Sequence, residues 1–364
     1  MWKEVLQIFS WGGFPTEGIT SLLERGIFFI YEEGNKLTIY STNSLKPIDI
    51  DVSKGKLSKI GEKEVYISFG NILKKLDLNS LSLNETCISN KEHIGQYGDN
   101  YYSAVTITRN PKKYKKELGS IIPCKKLFEW NDRRVLILIY RTSKIILSDG
   151  NSFVFYDFIA GIKLWEFTFN DSDPSQRYIQ LVDDVLVIVL SFLDEFNSPS
   201  YNHIIGLDIN SGEVKWRLED KTIFSWYQFD CESKKLFTVG GFNNVVYQVI
   251  DPLTGTIEIE KNLSESHKNI EVNCHNVFFA EDNYLYFSSN TRAPIGDSEF
   301  DYDYLQPQVG AINIQTQKLE YLVDIPIDMK NISRPSNALN SAPIVHRNRM
   351  YIMDNENYLH ILEK

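Results

Sequence analysis

The sequence has few of the residues that carry recognisable redox or metal chemistry. It contains only four cysteines, which lie far apart and form no CxxC pair: Cys87, Cys124, Cys231 and Cys274. This spacing excludes a zinc ribbon and a thioredoxin-type redox motif, so we expect four reduced, mostly buried thiols. The six histidines are scattered, and only His275 adjoins a cysteine. Because neighbouring residues of a strand point to opposite faces, we expect no metal site there.

Catalytic and nucleic-acid motifs are also absent. The chain contains no HExxH, GxSxG, Walker loop or GxGxxG sequence, so no catalytic residue is predicted. Residues 111–117 carry four lysines around a tyrosine, but the chain has a net charge of -10. A nucleic-acid binder needs a basic face to neutralise phosphates, so we interpret this run as a solvated loop and expect no nucleic-acid partner.

Long apolar segments are missing as well. The longest, which runs from Val185 to Leu190 and on to Leu193, is about half of the roughly 20 residues that a membrane helix needs. The first residues include the acid Glu4 and the amide Gln7, where a secretory signal would have an unbroken apolar stretch. We therefore expect no membrane contact and a cytoplasmic location.

Aromatic residues are abundant, with 21 Phe, 20 Tyr and 6 Trp among 364 residues. This composition suits many half-buried strands. The length exceeds the roughly 250–300 residues that one hydrophobic core supports, so the chain should either divide into domains or repeat a small unit.

A hairpin pattern repeats along the chain. In its clearest copy Gly212 follows Asp208 by four positions and Trp216 follows it by eight. A second copy has Asp157, Gly161 and Trp165, and a third has Asp251 and Gly255; fainter copies lie at 37–42, 75–80 and 311–316. An aspartate can hydrogen-bond the turn backbone, and glycine tolerates the positive φ that closes it.

Each hairpin follows a further strand, turn and strand, which gives units of about 40–50 residues with four short strands. We therefore predict an all-β fold, a single β-propeller domain over residues 1–364 with four-stranded antiparallel blades. Eight blades are favoured, and seven is the alternative if 89–131 is an insertion. The predicted blades are 11–50, 51–88, 89–131, 132–170, 171–220, 221–262, 263–325, and 326–364 completed by 1–10. The last unit lacks a strand, so Trp2 to Phe9 is predicted to pair with Tyr358 to Leu362 and close the ring.

The repeat resembles the pyrroloquinoline-quinone-type repeat, whose consensus is roughly V-Y-V-G-S-x-D-G-x-L-Y-A-L-D-x-x-T-G-x-x-x-W, most strongly over 132–262. The resemblance implies a quinoprotein alcohol dehydrogenase-like propeller, a family that includes quinone-dependent dehydrogenases and a bacterial outer-membrane assembly lipoprotein. Those enzymes stack the cofactor on a tryptophan and commonly carry a disulfide between adjacent cysteines, which this chain lacks. We expect a non-enzymatic member with no cofactor, and we interpret Trp165 and Trp216 as packing residues between blades.

Two segments interrupt the economical repeat, and both connect the second strand of a blade to the third. Residues 193–201 and 290–307 are predicted to be loops on one face, rich in acidic and aromatic residues that can pair with lysine or arginine and bury apolar area. Solvated loops and, for Asp297 to Asp303, a calcium site are the alternatives. The predicted partner-binding residues are Asp194, Glu195, Asp297, Glu299, Asp301, Tyr302, Asp303 and Tyr304.

The function predicted from these features is a non-catalytic protein-binding scaffold that recognises a basic partner. One setting that fits such a surface is a bacterial immunity or antitoxin-like protein. The alternative is an enzyme or small-ligand binder that uses the central funnel, of the quinone-dependent dehydrogenase or hydrolase type. Convergent carboxylates, histidines or a metal in that funnel would favour the alternative.

Overall fold

A computed structural model describes the chain from Trp2 to Lys364 with gaps. The residues outside the described part are 11–18, 34–35, 61–63, 71, 90–92, 98–99, 111–112, 121–124, 131–134, 141–142, 149–151, 170–174, 194–198, 221–225, 242–243, 266–269, 273–277, 282, 296–301, 333–337 and 340–341. The chain divides into two compact units. The first comprises Met1–Thr16, Ser175–Ile209 and Val214–Lys364, and the second comprises Glu17–Pro174 and Asn210–Glu213.

The second unit contains one short helix and four antiparallel sheets. The helix is α1 (Ile19–Glu24). The sheets, each given by its strands, are β2 (Ile27–Glu32) and β3 (Lys36–Ser41); β4 (Lys56–Ile60), β5 (Glu64–Phe69), β6 (Ile72–Asp77) and β7 (Leu83–Ser89); β8 (His93–Tyr97), β9 (Asn100–Asn110), β10 (Lys113–Ser120) and β11 (Lys125–Trp130); and β12 (Val135–Tyr140), β13 (Lys144–Ser148), β14 (Ser152–Asp157) and β15 (Ile162–Thr168).

The first unit contains four more antiparallel sheets, one of which includes the N-terminal strand. They are β16 (Ser175–Val182), β17 (Val185–Leu193), β18 (Pro199–Asp208) and β19 (Val214–Asp220); β20 (Trp226–Asp230), β21 (Lys235–Gly240), β22 (Val246–Ile250) and β23 (Ile257–Asn262); β24 (Ile270–Glu271), β25 (Phe278–Glu281), β26 (Tyr284–Pro294), β27 (Tyr302–Asn313) and β28 (Lys318–Asp324); and β1 (Lys3–Phe9) with β29 (Ile344–His346), β30 (Arg349–Met353) and β31 (Tyr358–Glu363).

The predicted blade count is wrong. Within the described residues six sheets have four strands, one has five and one has two, so the structure has six four-stranded blades rather than eight or seven. In the predicted first blade, Ile19, Leu22 and Leu23 follow the i, i+3, i+4 spacing of a helix face, and all three are buried on α1. In the predicted seventh blade, β24 and β25 both pair with β26 and so replace a single first strand.

The N-terminal strand pairs with the C-terminal strand, as predicted. β1 runs antiparallel to β31 from Lys3 opposite Glu363 to Phe9 opposite Tyr358, with a register shift between Glu4 and Leu6. This pairing supplies the fourth strand of the sheet formed by β29, β30 and β31. It covers an edge of β31 that would otherwise present unpaired main-chain groups.

The repeated tryptophans pack against turn glycines, which confirms their interpretation as packing residues. A Cβ placed on Gly255 would lie 2.5 Å from Trp216 Cε3, and Trp216 Nε1 donates a hydrogen bond to the Pro252 carbonyl oxygen at 3.1 Å. Trp165 covers Gly212 in the same way, with its Cδ2 atom 2.7 Å from where that Cβ would lie. Both glycines have positive φ, so the close approach and the turn conformation each favour glycine.

The core of the first unit is continuous across neighbouring sheets. One cluster joins the sheet of β20–β23 to that of β24–β28 through residues such as Tyr247 and Phe287. Another joins β24–β28 to the sheet that holds both chain termini, through Tyr286, Ile352 and Leu362. The site described next lies on the β24–β28 sheet, which both clusters share.

Candidate functional site

The predicted partner-binding residues are only partly within the described chain. Asp194, Glu195, Asp297, Glu299 and Asp301 lie outside the described residues. Tyr302 pairs with Pro294 in β27, Asp303 is exposed and Tyr304 is half-buried. Whether the two acidic segments share a face stays a prediction.

The segment 290–307 is mostly paired strand, which corrects the prediction of a loop. β26 continues to Pro294 and β27 begins at Tyr302, and the pairs include Arg292 with Tyr304 and Ala293 with Asp303. Threonine and tyrosine favour the extended backbone, which is why this insertion lengthens the hairpin. The segment 193–201 behaves similarly, since β17 extends to Leu193 opposite Pro199.

We call residues 290–295 and 302–306 the extended hairpin. Its base is joined to β24 by the pairs Ile270 with Thr291 and Glu271 with Asn290. The next residue, Val272, exchanges two main-chain hydrogen bonds with Gly241, at 3.0 and 3.1 Å. The base is therefore held by two neighbouring sheets of the first unit.

An ion pair is buried in this base. Glu271 is 1% exposed, Arg292 is 4% exposed, and Arg292 Nη1 lies 3.3 Å from Glu271 Oε2. Burying two charges costs several kcal/mol per ion, which only close pairing and additional hydrogen bonds can offset. The ion pair therefore stabilises the fold only when β24 and β26 keep the relative position that brings the two charged groups together.

Tyr304 completes this group, because it lies opposite Arg292 across the hairpin. Burial raises the pKa of its phenol, the charge of Glu271 raises it further, and the guanidinium of Arg292 opposes the shift. The raised pKa keeps the phenol protonated at neutral pH, and the charges of Glu271 and Arg292 both act on it. The three side chains thus come together from β24, β26 and β27.

The outer part of the hairpin is exposed and mixed in character. Leu305 is 54% exposed, Ile295 is 48% exposed, and Asp303 is also exposed. The register shifts so that Thr291 faces Gln306 while Arg292 faces Tyr304, which leaves Leu305 as the extra residue of a β-bulge. Bulges commonly reorient a side chain at functional edges.

A second buried polar group lies in the neighbouring sheet. His360 is fully buried; its Nδ1 atom lies 2.6 Å from Glu4 Oε1, and its Nε2 atom lies 3.1 Å from Asp354 Oδ2. Asp354 Oδ1 accepts hydrogen bonds from the main-chain N–H groups of Glu356 and Tyr358. Burial alone lowers the pKa of His360, but the two carboxylates together outweigh it and raise the pKa above its ordinary value.

Sequence reasoning missed both polar groups. Glu4 and His360 stand at opposite ends of the chain, and only the predicted pairing of β1 with β31 gave a signal that they meet. Glu271 lies in a two-residue strand that no periodicity marks. Among the described residues, no three His, Cys, Asp or Glu side chains are arranged to hold a metal ion. Of the thiols, Cys231 is free and exposed, and the expectation that most of the four are buried stays a prediction.

No protein-family model matches the chain, and no curated protein matches it by sequence. Solved structures do match its fold. The C-terminal WD40 domain of Sif2 aligns with a TM-score of 0.58 at 8% identity, over 100% of this chain and 98% of that one. BamB from Moraxella catarrhalis has a TM-score of 0.51 at 11% identity, and the β-propeller domain of Cps50 (Swd1) from Myceliophteria thermophila has 0.51 at 9%; each covers 100% of both chains.

These likenesses identify the fold as a β-propeller with antiparallel four-stranded blades, and at such low identity they show the fold alone. The helices in the described part of the chain are all too short or too polar to span a bilayer.

Proposed function

We propose that this chain is a non-catalytic protein-binding β-propeller, a single domain of the quinone-type repeat class located in the cytoplasm, whose partner docks on the extended hairpin. The observation that carries the proposal is the contrast within that hairpin. Its base is fixed by the buried Glu271–Arg292 pair, and its outer part exposes Asp303, Leu305 and Ile295. The class assignment is supported by the packing of Trp165 and Trp216 on turn glycines.

A surface fixed in this way suits recognition, because little conformational entropy is lost when a partner binds. Interfaces combine an apolar centre with polar groups that set the register of the partner. Leu305 and Ile295 offer the apolar area and Asp303 offers the charge.

The partner we propose has a basic surface. The sequence places acidic residues at 297, 299, 301 and 303, and the chain as a whole carries a net charge of -10. Such a field speeds the encounter with a basic protein and disfavours acidic ones. An immunity or antitoxin-like protein that caps a basic toxin is the narrower role we propose on this ground.

The test compares Leu305→Ser with a matched change on another exposed leucine, Leu253→Ser, which lies in the Asp251–Gly255 turn. A protein is captured from the native host with the wild-type chain, and its affinity for each purified variant is then measured. We expect Leu305→Ser to weaken binding about tenfold, since a central apolar contact contributes about 1–2 kcal/mol.

Leu253→Ser should leave the affinity unchanged, and both variants should melt like the wild type. Equal affinity of both variants for the captured protein would show that the extended hairpin is not the docking surface.

A further inference from the structure

Within the part of the chain that the structure describes, the outer side of β27 has no strand partner where the hairpin extends. Among the described residues, β28 pairs with β27 only from Gln308 opposite Asp324 to Asn313 opposite Lys318. The Ile325 main-chain N–H donates to the Pro307 carbonyl at 2.9 Å, and Gln306 Nε2 donates to the Ile325 carbonyl at 2.5 Å. Within the described residues, the hydrogen-bond partners on this side of β27 therefore end at Gln306. We call the residues before it, Tyr302–Leu305, the open edge.

We propose that the open edge binds an extended basic peptide segment of the partner by adding it to the sheet as a further antiparallel strand. This inference rests on the proposed function and names the kind of contact. In an antiparallel pair alternate residues turn their N–H and C=O groups away from the existing neighbour, so an edge strand offers main-chain hydrogen bonds to an incoming chain.

Charge and apolar exposure define which peptide fits. Asp303 and Leu305 are both exposed and flank the half-buried Tyr304, so they can contact lysine or arginine and an aliphatic side chain respectively. Residues directly opposite each other in antiparallel strands contribute roughly 0.2–1 kcal/mol when their charges are opposite. Because Asp303 and Leu305 lie two positions apart, the peptide we infer carries a basic and an aliphatic residue two positions apart, opposite these two side chains.

A second copy of this chain is a poor occupant. Two open edges placed side by side would bring the exposed Asp303 of each copy towards the other. Like charges across a strand pair are destabilising. The same acidity would protect the edge from self-association while accepting a basic strand.

The base of the hairpin makes the open edge suitable for this role. Tyr304 lies in the middle of the edge and pairs with Arg292 of β26, whose side chain forms the buried ion pair with Glu271 of β24. The backbone at this point is therefore already extended and paired, so a peptide binds without ordering the strand first.

The experiment uses a short capped peptide that repeats Lys-Thr-Val-Thr, so that lysine and valine share one face, and the full-length protein labelled for NMR. We expect chemical-shift changes at the amides of the open edge, with affinity that falls as salt is added. A peptide of the same composition that repeats Lys-Val-Thr-Thr, and a Lys-Thr-Val-Thr peptide N-methylated at every residue, should each bind at least about tenfold more weakly, because the first places lysine and valine on opposite faces and the second lacks the main-chain donors. Asp303→Asn should weaken binding of the Lys-Thr-Val-Thr peptide and reduce its salt dependence.

The outcomes separate this inference from the proposed function. If the N-methylated peptide bound equally well, strand addition would be refuted, and charge attraction would remain as the explanation of binding. If no peptide bound, strand addition would also be refuted, and the acidic edge would serve only to prevent strand pairing. If Leu305→Ser still weakened binding of the captured protein, docking through side chains would remain supported. Loss of both effects would overturn the two proposals together.

Discussion

Substitution of Gly255 by alanine isolates the contribution of the tryptophan packed on each turn. Gly255 and Gly161 occupy equivalent turn positions with φ of 73° and 70°. A Cβ at Gly161 would meet nothing within 4 Å, whereas a Cβ at Gly255 would lie 2.5 Å from Trp216. Both changes therefore strain the backbone equally, and only Gly255→Ala displaces a ring.

The magnitude follows from these contacts. An alanine in the left-handed backbone conformation destabilises the folded state by about 1–2 kcal/mol. The lower conformational entropy of the unfolded alanine variant offsets part of this loss. Gly161→Ala should thus lower the free energy of unfolding by about 1 kcal/mol. At Gly255 the ring must retreat by about 1 Å to reach ordinary carbon contact distance. That movement weakens the hydrogen bond from Trp216 to Pro252 and part of the packing, so we expect a further loss of about 2–4 kcal/mol.

Denaturant unfolding followed by far-ultraviolet circular dichroism measures both variants, with the slope m compared to confirm the same unfolding reaction. The double variant Gly255→Ala with Trp216→Phe completes a cycle, because a smaller ring relieves part of the clash and reveals a coupling between the two sites. If Gly255→Ala and Gly161→Ala destabilise the protein equally, the contact of Trp216 with this turn does not stabilise the sheets, and the explanation of the repeat is refuted.

Two further predictions concern the sheet that joins the chain termini. Removal of residues 1–10 takes away β1 and the carboxylate of Glu4, and calorimetry should show a melting temperature lower by about 5 °C or more; an unchanged value would contradict the role of β1. His360→Gln should lose stability that depends on pH: because the pKa of His360 is raised by Asp354 and Glu4, the protonated ring stabilises the fold fully below its ordinary pKa of about 6.5, and this contribution is lost as the pH rises through the raised value. The difference between wild type and variant in denaturant midpoint should therefore be larger at pH 6 than at pH 9, and a pH-independent difference would contradict the assignment.

The part of the fold that was predictable depends on local chemistry. The Asp-to-Gly spacing of the repeat marks real turns, since Asp157 Oδ1 accepts from the N–H groups of Ile159 and Ala160, and the Gly161 N–H donates to the Asp157 carbonyl. The hydrogen bonds of a turn join residues that are at most four positions apart, so the local sequence determines the conformation of the turn. The pairing of β1 with β31 was predictable for a different reason, because an incomplete last unit requires a strand from elsewhere.

The blade count failed where local pattern and tertiary context disagree. The stretch around α1 was assigned to a strand-rich blade, although Ile19, Leu22 and Leu23 have helical spacing. The first strand of the β24–β28 sheet is divided between Ile270–Glu271 and Phe278–Glu281, which no sequence period signals. Counting repeats assumes that each unit is complete, and the two irregular sheets violate that assumption.

The location of the candidate site in the sequence was predictable, but its folded structure was not. Insertion length and acidic composition singled out 290–307, but the paired strands and the bulge at Leu305 depend on the pairing of β26 with β27, and the buried base depends on contacts with β24. Glu271 and Arg292 are twenty-one positions apart, and only the folded sheet makes them neighbours.

The cost of the buried pair is the strongest reason to treat the extended hairpin as a functional feature. Well-packed aliphatic residues at the positions of Glu271 and Arg292 would fill the same space with equal or greater stability. The pair brings β24 and β26 together, and Arg292 lies opposite Tyr304 of β27. The chain thus carries a less economical core directly beside Tyr302–Leu305, and the strand addition that we propose would give this arrangement a function.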